Sequence, residues 1–192
     1  MTVYASISVS LDGYYVGANP SQNAPMGEAG SVLHSWFRHD VADRQQLTTH
    51  ELLRDEFERL GAMIMGRDSY EHAQAVWGPH PPFEVPIFVL TNRPRSDDVR
   101  EGTTFHFVTE GFETALDRAH AAAQGRDVGL HGGGAIQQAL IHEVLEELQV
   151  HLVPHILQRG RRLFEQFDDR LELQQHRVVE GNGVTHIQYR VP

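Results

Sequence analysis

The sequence predicts a single α/β domain, residues 1–192, on a mixed, mostly parallel central sheet that ends in an antiparallel hairpin. Three observations predict it. Short apolar runs of strand length alternate along the chain with stretches of helical spacing. The last two apolar runs are instead joined by Gly181-Asn182-Gly183, a hairpin turn signal. No repeat, low-complexity segment or linker divides the 192 residues, a length that suits one sizeable core.

Each element has its reason. Val3, Ala5, Ile7 and Val9 alternate with polar or small residues and predict a strand that ends at Leu11-Asp12-Gly13. Gly, Pro, Asn and Ser dominate from Tyr14 to Gly30, so a long loop is expected there, a candidate lid. Val32, Leu33, Trp36 and Phe37 give helical spacing from Ser31 to Phe37. A second helix is expected from Thr49 to Leu60, with Thr48 and Thr49 able to cap it and Glu51 and Leu52 in its first turn. Ala62-Met63-Ile64-Met65 is a short buried strand stopped by Gly66. After a Pro/Gly-rich loop from Trp77 to Pro86 come strands from Ile87 to Leu90 and from Phe105 to Val108, then a helix from Phe112 to Ala123. Val128 to Leu130 closes a strand, three glycines follow, and Ala135 to Ile141 opens a helix. Leu148 to Val153 is the next strand, and Leu171 to Val179 and Val184 to Val191 form the closing pair.

Composition removes several classes of function. The net charge of −10 argues against general affinity for nucleic acid, whose phosphates demand clustered Lys and Arg. A local pair of arginines can still hold a small anion. Without cysteine there is no disulfide, zinc–thiolate site or thiol nucleophile. No apolar run reaches the roughly 18 residues that span a bilayer. Met1 to Ala5 enters a strand pattern at once, without a basic segment followed by an apolar one, so the cytoplasm is the expected compartment. His151 and His155 lie four apart on a strand rather than a helix, which does not suggest a metal site.

Four segments look chemical, and each follows a strand end, where open α/β sheets place ligands. They are Ser10-Leu11-Asp12-Gly13, then Gly66-Arg67-Asp68-Ser69-Tyr70, then Leu90-Thr91-Asn92-Arg93-Pro94-Arg95, and last Gly132-Gly133-Gly134 leading into Ala135-Ile136-Gln137. Glycines let backbone approach a ligand closely, and the first N–H groups of a helix lack internal partners, so the last segment can receive a phosphate or pyrophosphate. Arg67 and Ser69 can present donors at a helix start. Arg93 and Arg95, with no adjacent carboxylate, favour a dianionic 2′-phosphate over a bare 2′-hydroxyl. Plainer roles fit each segment singly: a turn, a surface ion pair, a solvated loop, a tightly packed helix start. Their occurrence together and in this order is what makes them informative.

These segments, with Pro154-His155-Ile156-Leu157 to Gly160 and Leu163-Phe164, resemble the dihydrofolate-reductase-like superfamily over Val3 to Val191. The nearer likeness is to the C-terminal reductase domain of the riboflavin biosynthesis protein RibD. The resemblance implies a three-layer α/β/α fold and an NADPH-dependent oxidoreductase that transfers hydride to a small heterocyclic or carbonyl substrate. It places Gly66, Arg67, Asp68 and Ser69 against the phosphates of NADP(H), and Leu90, Thr91, Asn92 and Arg93 at the 2′-phosphate. The glycine turn, Gly132 to Gln137, lies at the pyrophosphate and nicotinamide, with Ser8 also on the cofactor side. It implies a homodimer paired through the C-terminal strands.

The substrate side departs from the family pattern. Where dihydropterin reduction needs a carboxylate on the first helix, alignment on Trp36-Phe37 puts Leu33, which speaks against folate reduction. The riboflavin-pathway reductases carry a lysine where this chain has Ser6 and an acid where it has His131. Gln158 and Arg159 replace small residues. Asp12 and His131 are the candidate catalytic groups, His131 as a proton donor or substrate-orienting group. His131 could equally be bonded within the sheet, and Trp36 could stack on a heterocycle or serve the core. The nearest named activity is 5-amino-6-(5-phosphoribosylamino)uracil reduction. The rival readings are an NADP(H) or phosphorylated-metabolite binder without turnover, and a sugar-phosphate module that takes no dinucleotide.

Overall fold

Alternation at the N-terminus becomes β1 (Val3–Ser10), a central strand of the sheet. The computed structural model describes residues 1–38, 49–165, 167 and 170–192. Next in the chain come β2 (Tyr14–Val16), a 3-10 helix (Gly30–Arg38), α1 (Thr49–Arg59), β3 (Leu60–Gly66), α2 (Arg67–Trp77) and β4 (Ile87–Leu90). β5 (Asp98–Arg100), β6 (Thr103–Val108), α3 (Phe112–Ala122), β7 (Asp127–His131) and α4 (Gly133–Ile141) follow. The chain closes with β8 (Glu147–Val153), β9 (Arg161–Arg162), β10 (Gln174–Gly181) and β11 (Val184–Arg190).

Nine strands make one sheet in the order β10-β11-β8-β1-β7-β3-β4-β6-β5, and β2 with β9 makes a separate antiparallel pair. From β8 through β6 every pairing is parallel, while β11 and β10 extend one end and β5 the other by antiparallel pairing. Parallel strands share one C-terminal edge. Ser10 therefore lies beside Val153, Gly66 beside Leu90, Leu90 beside Val108 and Met65 beside His131.

The period-two alternation divides the core between the two sheet faces. Val3, Ala5, Ile7 and Val9 pack with Ile64 and Leu130 against Ala115 and Ala119 of α3 and Ala135 and Ile136 of α4. Tyr4, Met63, Met65 and Ile87 point the other way and pack with Tyr70 of α2. Leu33 and Trp36 of the 3-10 helix join Leu53 of α1, Val153 and Val184 in a third cluster. Ile64, Met65, Ile87 and Val89 expose none of their surface, and each such burial contributes roughly 1.5–3 kcal/mol. Three α/β/α layers result.

Several details differ from the sequence reading. β2 interrupts the expected loop, and β2, β5 and β9 were not foreseen because strands of two or three residues carry too little alternation to register. The segment from Gly30 winds as a 3-10 helix rather than an α-helix. β10 begins at Gln174 rather than Leu171, and α1 stops at Arg59 because Leu60 already opens β3. The capping assigned to Thr48 lies outside the described residues. Among the described residues no helix is long and apolar enough to cross a membrane.

Candidate functional site

Three strand ends meet in one crescent. Gly132 caps α4 with φ +84 and no side-chain cap, leaving the first N–H groups of the helix without internal partners. A Cβ at Gly132 would collide with Ser69 Oγ, and one at Gly133 would run into the Tyr15 ring, while Gly134 faces open space. Glycine is what lets the turn sit this close to the first turn of α2. That helix starts straight from β3 at Arg67, and its N-cap Gly66 also lacks a side-chain cap. Arg67 Nη1 donates to Asn92 Oδ1 at 3.1 Å, linking the end of β3 to the end of β4. Its Nε is sealed from solvent, makes no hydrogen bond and lies 3.6 Å from Glu71 Oε1.

After β4, Thr91 N–H donates to Val108 O, and Thr91 Oγ1 accepts from Arg93 N at 3.1 Å. This turn leaves Arg93 exposed, with no carboxylate against it among the described residues. Arg95 is committed elsewhere, its guanidinium 4.5 Å from the Phe107 ring centre and 5.4 Å from that of Tyr70. Leu90 is half-buried beside Gly66. Ala135 and Ile136 belong to the core, and Gln137 donates to Leu163 O and Arg162 O, tying α4 to β9. These three support the crescent from behind. Ser8 is buried and accepts from Trp36 Nε1 at 3.1 Å, away from the arginines.

A strap crosses the crescent. Tyr15 of β2 lies over Gly133 with Arg161 of β9 beside it, and Arg161 Nη2 reaches Asp68 Oδ2 at 2.9 Å. Asp68 thus joins the start of α2 to the strap. Partial desolvation raises its pKa, but the Arg161 and Arg67 guanidinia outweigh this and lower it. Asp12 anchors the neighbouring loop, accepting from Ser10 Oγ at 2.6 Å, Gln158 N at 2.8 Å and Leu157 N at 3.1 Å. Slight desolvation pushes its pKa up, yet these hydrogen bonds prevail and hold it at about 2. It stays ionised.

Beside the crescent, the sheet carries a second cluster of polar side chains, the candidate substrate cleft. Ser6 is the one residue of β1 that is not buried, and His131, which the parallel register carries to its side on the same face, is likewise only partly buried. The His131 ring meets Trp77 edge-on at 5.2 Å and Phe83 at 5.9 Å, while its Nδ1 is buried without a partner. Burial first, and His34 second, pull its pKa down to about 4, so the imidazole is neutral at pH 7. Ser6 Oγ lies 2.9 Å from His151 Nε2, and His151 Nδ1 lies 2.7 Å from His186 Nδ1. Trp36 covers both imidazoles, with ring centres 4.6 and 4.9 Å away. Glu56 of α1 lies beside Ser6, and burial pushes its carboxyl up to about 7.

The sequence matches the RibD C-terminal domain family over residues 1–186. The chain belongs to that family. No curated protein matches it. A protein described as a riboflavin biosynthesis protein of Shewanella sp. PV-4 has the same fold, with TM-score 0.75 and 20% identity over 100% of this chain and 99% of the other. A pyrimidine reductase-like protein of Corynebacterium diphtheriae gives TM-score 0.61 at 14% identity, covering 100% and 92% of the two chains. The Thermotoga maritima diaminohydroxyphosphoribosylaminopyrimidine deaminase/5-amino-6-(5-phosphoribosylamino)uracil reductase gives TM-score 0.65 at 9% identity. All of this chain, but only 56% of that bifunctional one, is covered.

Within this RibD C-terminal domain, sequence reading picked out the segments that form the crescent but missed Tyr15 and Arg161 of its strap and Glu56 beside Ser6. Tyr15 and Arg161 sit in strands too short to register, and only the close approach to Gly133 exposes them. Glu56 sits on a charged helix, THELLRDEFER, where nothing in the pattern separates it from Asp55 or Glu58. Its intermediate burial between exposed Asp55 and exposed Phe57 is visible only once α1 is placed.

Proposed function

We propose that this RibD C-terminal domain protein is an NADPH-dependent reductase of a small polar heterocycle or carbonyl compound. The supporting observation is the crescent itself: the Gly132–Ser69 contact and the Arg67–Asn92 hydrogen bond draw three separate chain segments around one hollow of dinucleotide chemistry. The donor set fits NADP(H). Uncapped N–H groups at α4 suit the pyrophosphate, exposed Arg93 suits further phosphate, and Gly134 leaves room for it. Bound there, the cofactor would supply hydride. The protein's own residues hold both reactants, exclude water with the Tyr15 strap, and present Ser6 and His131 to the substrate. The named activity nearest to this reading is 5-amino-6-(5-phosphoribosylamino)uracil reduction. Dimer pairing through β10 and β11 belongs to the same proposal, with light scattering as its test.

NADPH titration by fluorescence, followed by absorbance at 340 nm with pyrimidine, pterin and quinone-like acceptors, tests the reading. Binding with acceptor-dependent oxidation is expected. Stabilisation by ribose phosphates but not by NADPH would overturn it. One observation favours a binder without turnover: Asp12 is held ionised and His131 is held neutral, so neither gives up a proton readily at pH 7. In that case NADPH binds and no acceptor is reduced.

A further inference from the structure

If the reductase reading holds, on which this inference rests, the substrate needs a proton as well as a hydride, and Asp12 and His131 are poor sources of it. The neighbouring polar chain supplies what they lack. Glu56 lies beside Ser6, Ser6 Oγ meets His151 Nε2 at 2.9 Å and accepts from Gln149 Nε2 at 3.5 Å, and His151 Nδ1 meets His186 Nδ1 at 2.7 Å. We propose that Glu56, Ser6, His151 and His186 form a proton path that ends at the substrate cleft, with Ser6 as the branch point.

The chemistry of the links permits this. A serine hydroxyl has one proton and can donate in only one direction at a time. With Glu56 ionised, His186 Nδ1–H donates to His151 Nδ1, His151 Nε2–H donates to Ser6, and Ser6 donates to the carboxylate. With Glu56 protonated, every link reverses. Switching between the two arrangements carries one proton along the whole chain. Ser6 is the one residue of β1 that is not buried, so delivery to substrate is assigned to it. At the other end His186 Nε2 packs closely on Gly181, where any Cβ would displace it. The step balances: hydride from reduced nicotinamide enters the electrophilic carbon of a C=N or C=O bond, and the adjacent nitrogen or oxygen takes H⁺ from Ser6. Ser6 takes H⁺ from Glu56, and the resulting carboxylate is reprotonated by solvent water, whose proton enters at His186 Nε2 and is relayed through His151 and Ser6.

The surroundings suit a proton store. Glu56 faces Arg59 and Asp55 of its own helix, Glu147 of β8 and Tyr4 of β1, whose Oη donates to the Glu56 carbonyl. Arg59 favours the carboxylate, but Glu147 and Asp55 oppose it, and burial adds to them. His151 faces His186 of β11 and His34 of the 3-10 helix, and Trp36 closes the chain from solvent. Ser6 is the cleft-side contact, whereas His151 and His186 are positioning residues.

Carboxyl-¹³C glutamate labelling with ¹⁵N-histidine NMR tests the path in the whole protein without any acceptor. Glu56 is expected to titrate near pH 7, with the His151 ring nitrogens shifting at the same midpoint, and Ser6→Ala should uncouple the two. Glu56→Gln is expected to lower acceptor reduction by about a hundred-fold at unchanged NADPH affinity and to remove the corresponding limb of the kcat pH profile. Titration of Glu56 in the ordinary range, independent of His151, overturns the path. So does an unaltered pH profile in a Glu56→Gln protein that still turns over, which would leave the reductase reading standing. Failure of the wild type to reduce any acceptor, with the NMR coupling intact, overturns the reductase reading and leaves the relay as an internal proton store.

Discussion

The crescent and the cleft share one sheet edge yet are built of opposite materials. The crescent is backbone N–H, glycine and guanidinium, open to solvent and held by contacts between strand ends. In the cleft, neutral imidazoles, hydroxyls and aromatic rings dominate, with one protonatable carboxyl behind them. On the proposed reading, a multiply charged cofactor would meet fixed charge that needs little desolvation. A neutral heterocycle would meet groups whose charge has been removed by burial, so that hydrogen-bond direction would do the selecting. The contrast teaches that binding and chemistry are governed here by separable physics, and each half can be broken alone.

The largest expected effect is on the crescent. Gly132 holds φ +84 and its Cβ position is taken by Ser69 Oγ, so Gly132→Ala combines backbone strain with a clash. Thermal unfolding should show a loss of about 1–3 kcal/mol, and NADPH affinity should fall at least about a hundred-fold as the turn is displaced. Next is Arg93→Ala, which removes one charge-assisted contact of roughly 1.5–3 kcal/mol. NADPH should weaken about ten- to a hundred-fold while NADH barely changes. Equal losses for both nucleotides would detach Arg93 from a 2′-phosphate and collapse the contrast on this side.

How much of this was readable in the sequence follows from the same division. Strand periodicity and glycine placement specify the backbone, so the sheet, the glycine turn and the alignment of Gly66, Leu90 and His131 at one edge were legible. The roles of individual side chains depend on what covers them. Asp12 reads as a catalytic acid until Leu157 and Gln158, far away in sequence, donate to it. Ser8 and Gln137 read as cofactor contacts until Trp36 and the Leu163 carbonyl occupy their polar atoms. Ser6 was noticed only as a departure, since its partners come from α1 and β8.

On the cleft side, pH is the lever. Glu56 has its folded pKa raised from 4.5 to about 7, so the stability it contributes is complete below pH 4.5 and is lost as pH rises through about 7. With allowance for the part of the carboxyl that faces solvent, the loss is about 2–3 kcal/mol. His131 and His186 work in the other direction. Their pKa values drop from 6.5 to about 4, so their contribution is present above pH 6.5 and disappears as pH falls toward 4. Denaturation of Glu56→Gln across pH 4 to 8 should therefore lose the alkaline decline and keep the acid one. A curve parallel to wild type would place Glu56 outside the buried network.

The smallest effect belongs to the strap across the crescent. Asp68 and Arg161 meet at 2.9 Å, but their side chains are 43% and 47% exposed, so solvent screens the pair and its loss should cost less than about 1 kcal/mol. Asp68→Asn should leave the melting temperature almost unmoved. It should nonetheless loosen Tyr15, because Arg161 lies beside Tyr15 where it covers Gly133. Stopped-flow fluorescence is then expected to show faster NADPH release, with association little changed, since lid contacts act after encounter. An unchanged release rate would make the strap a passive brace of the crescent.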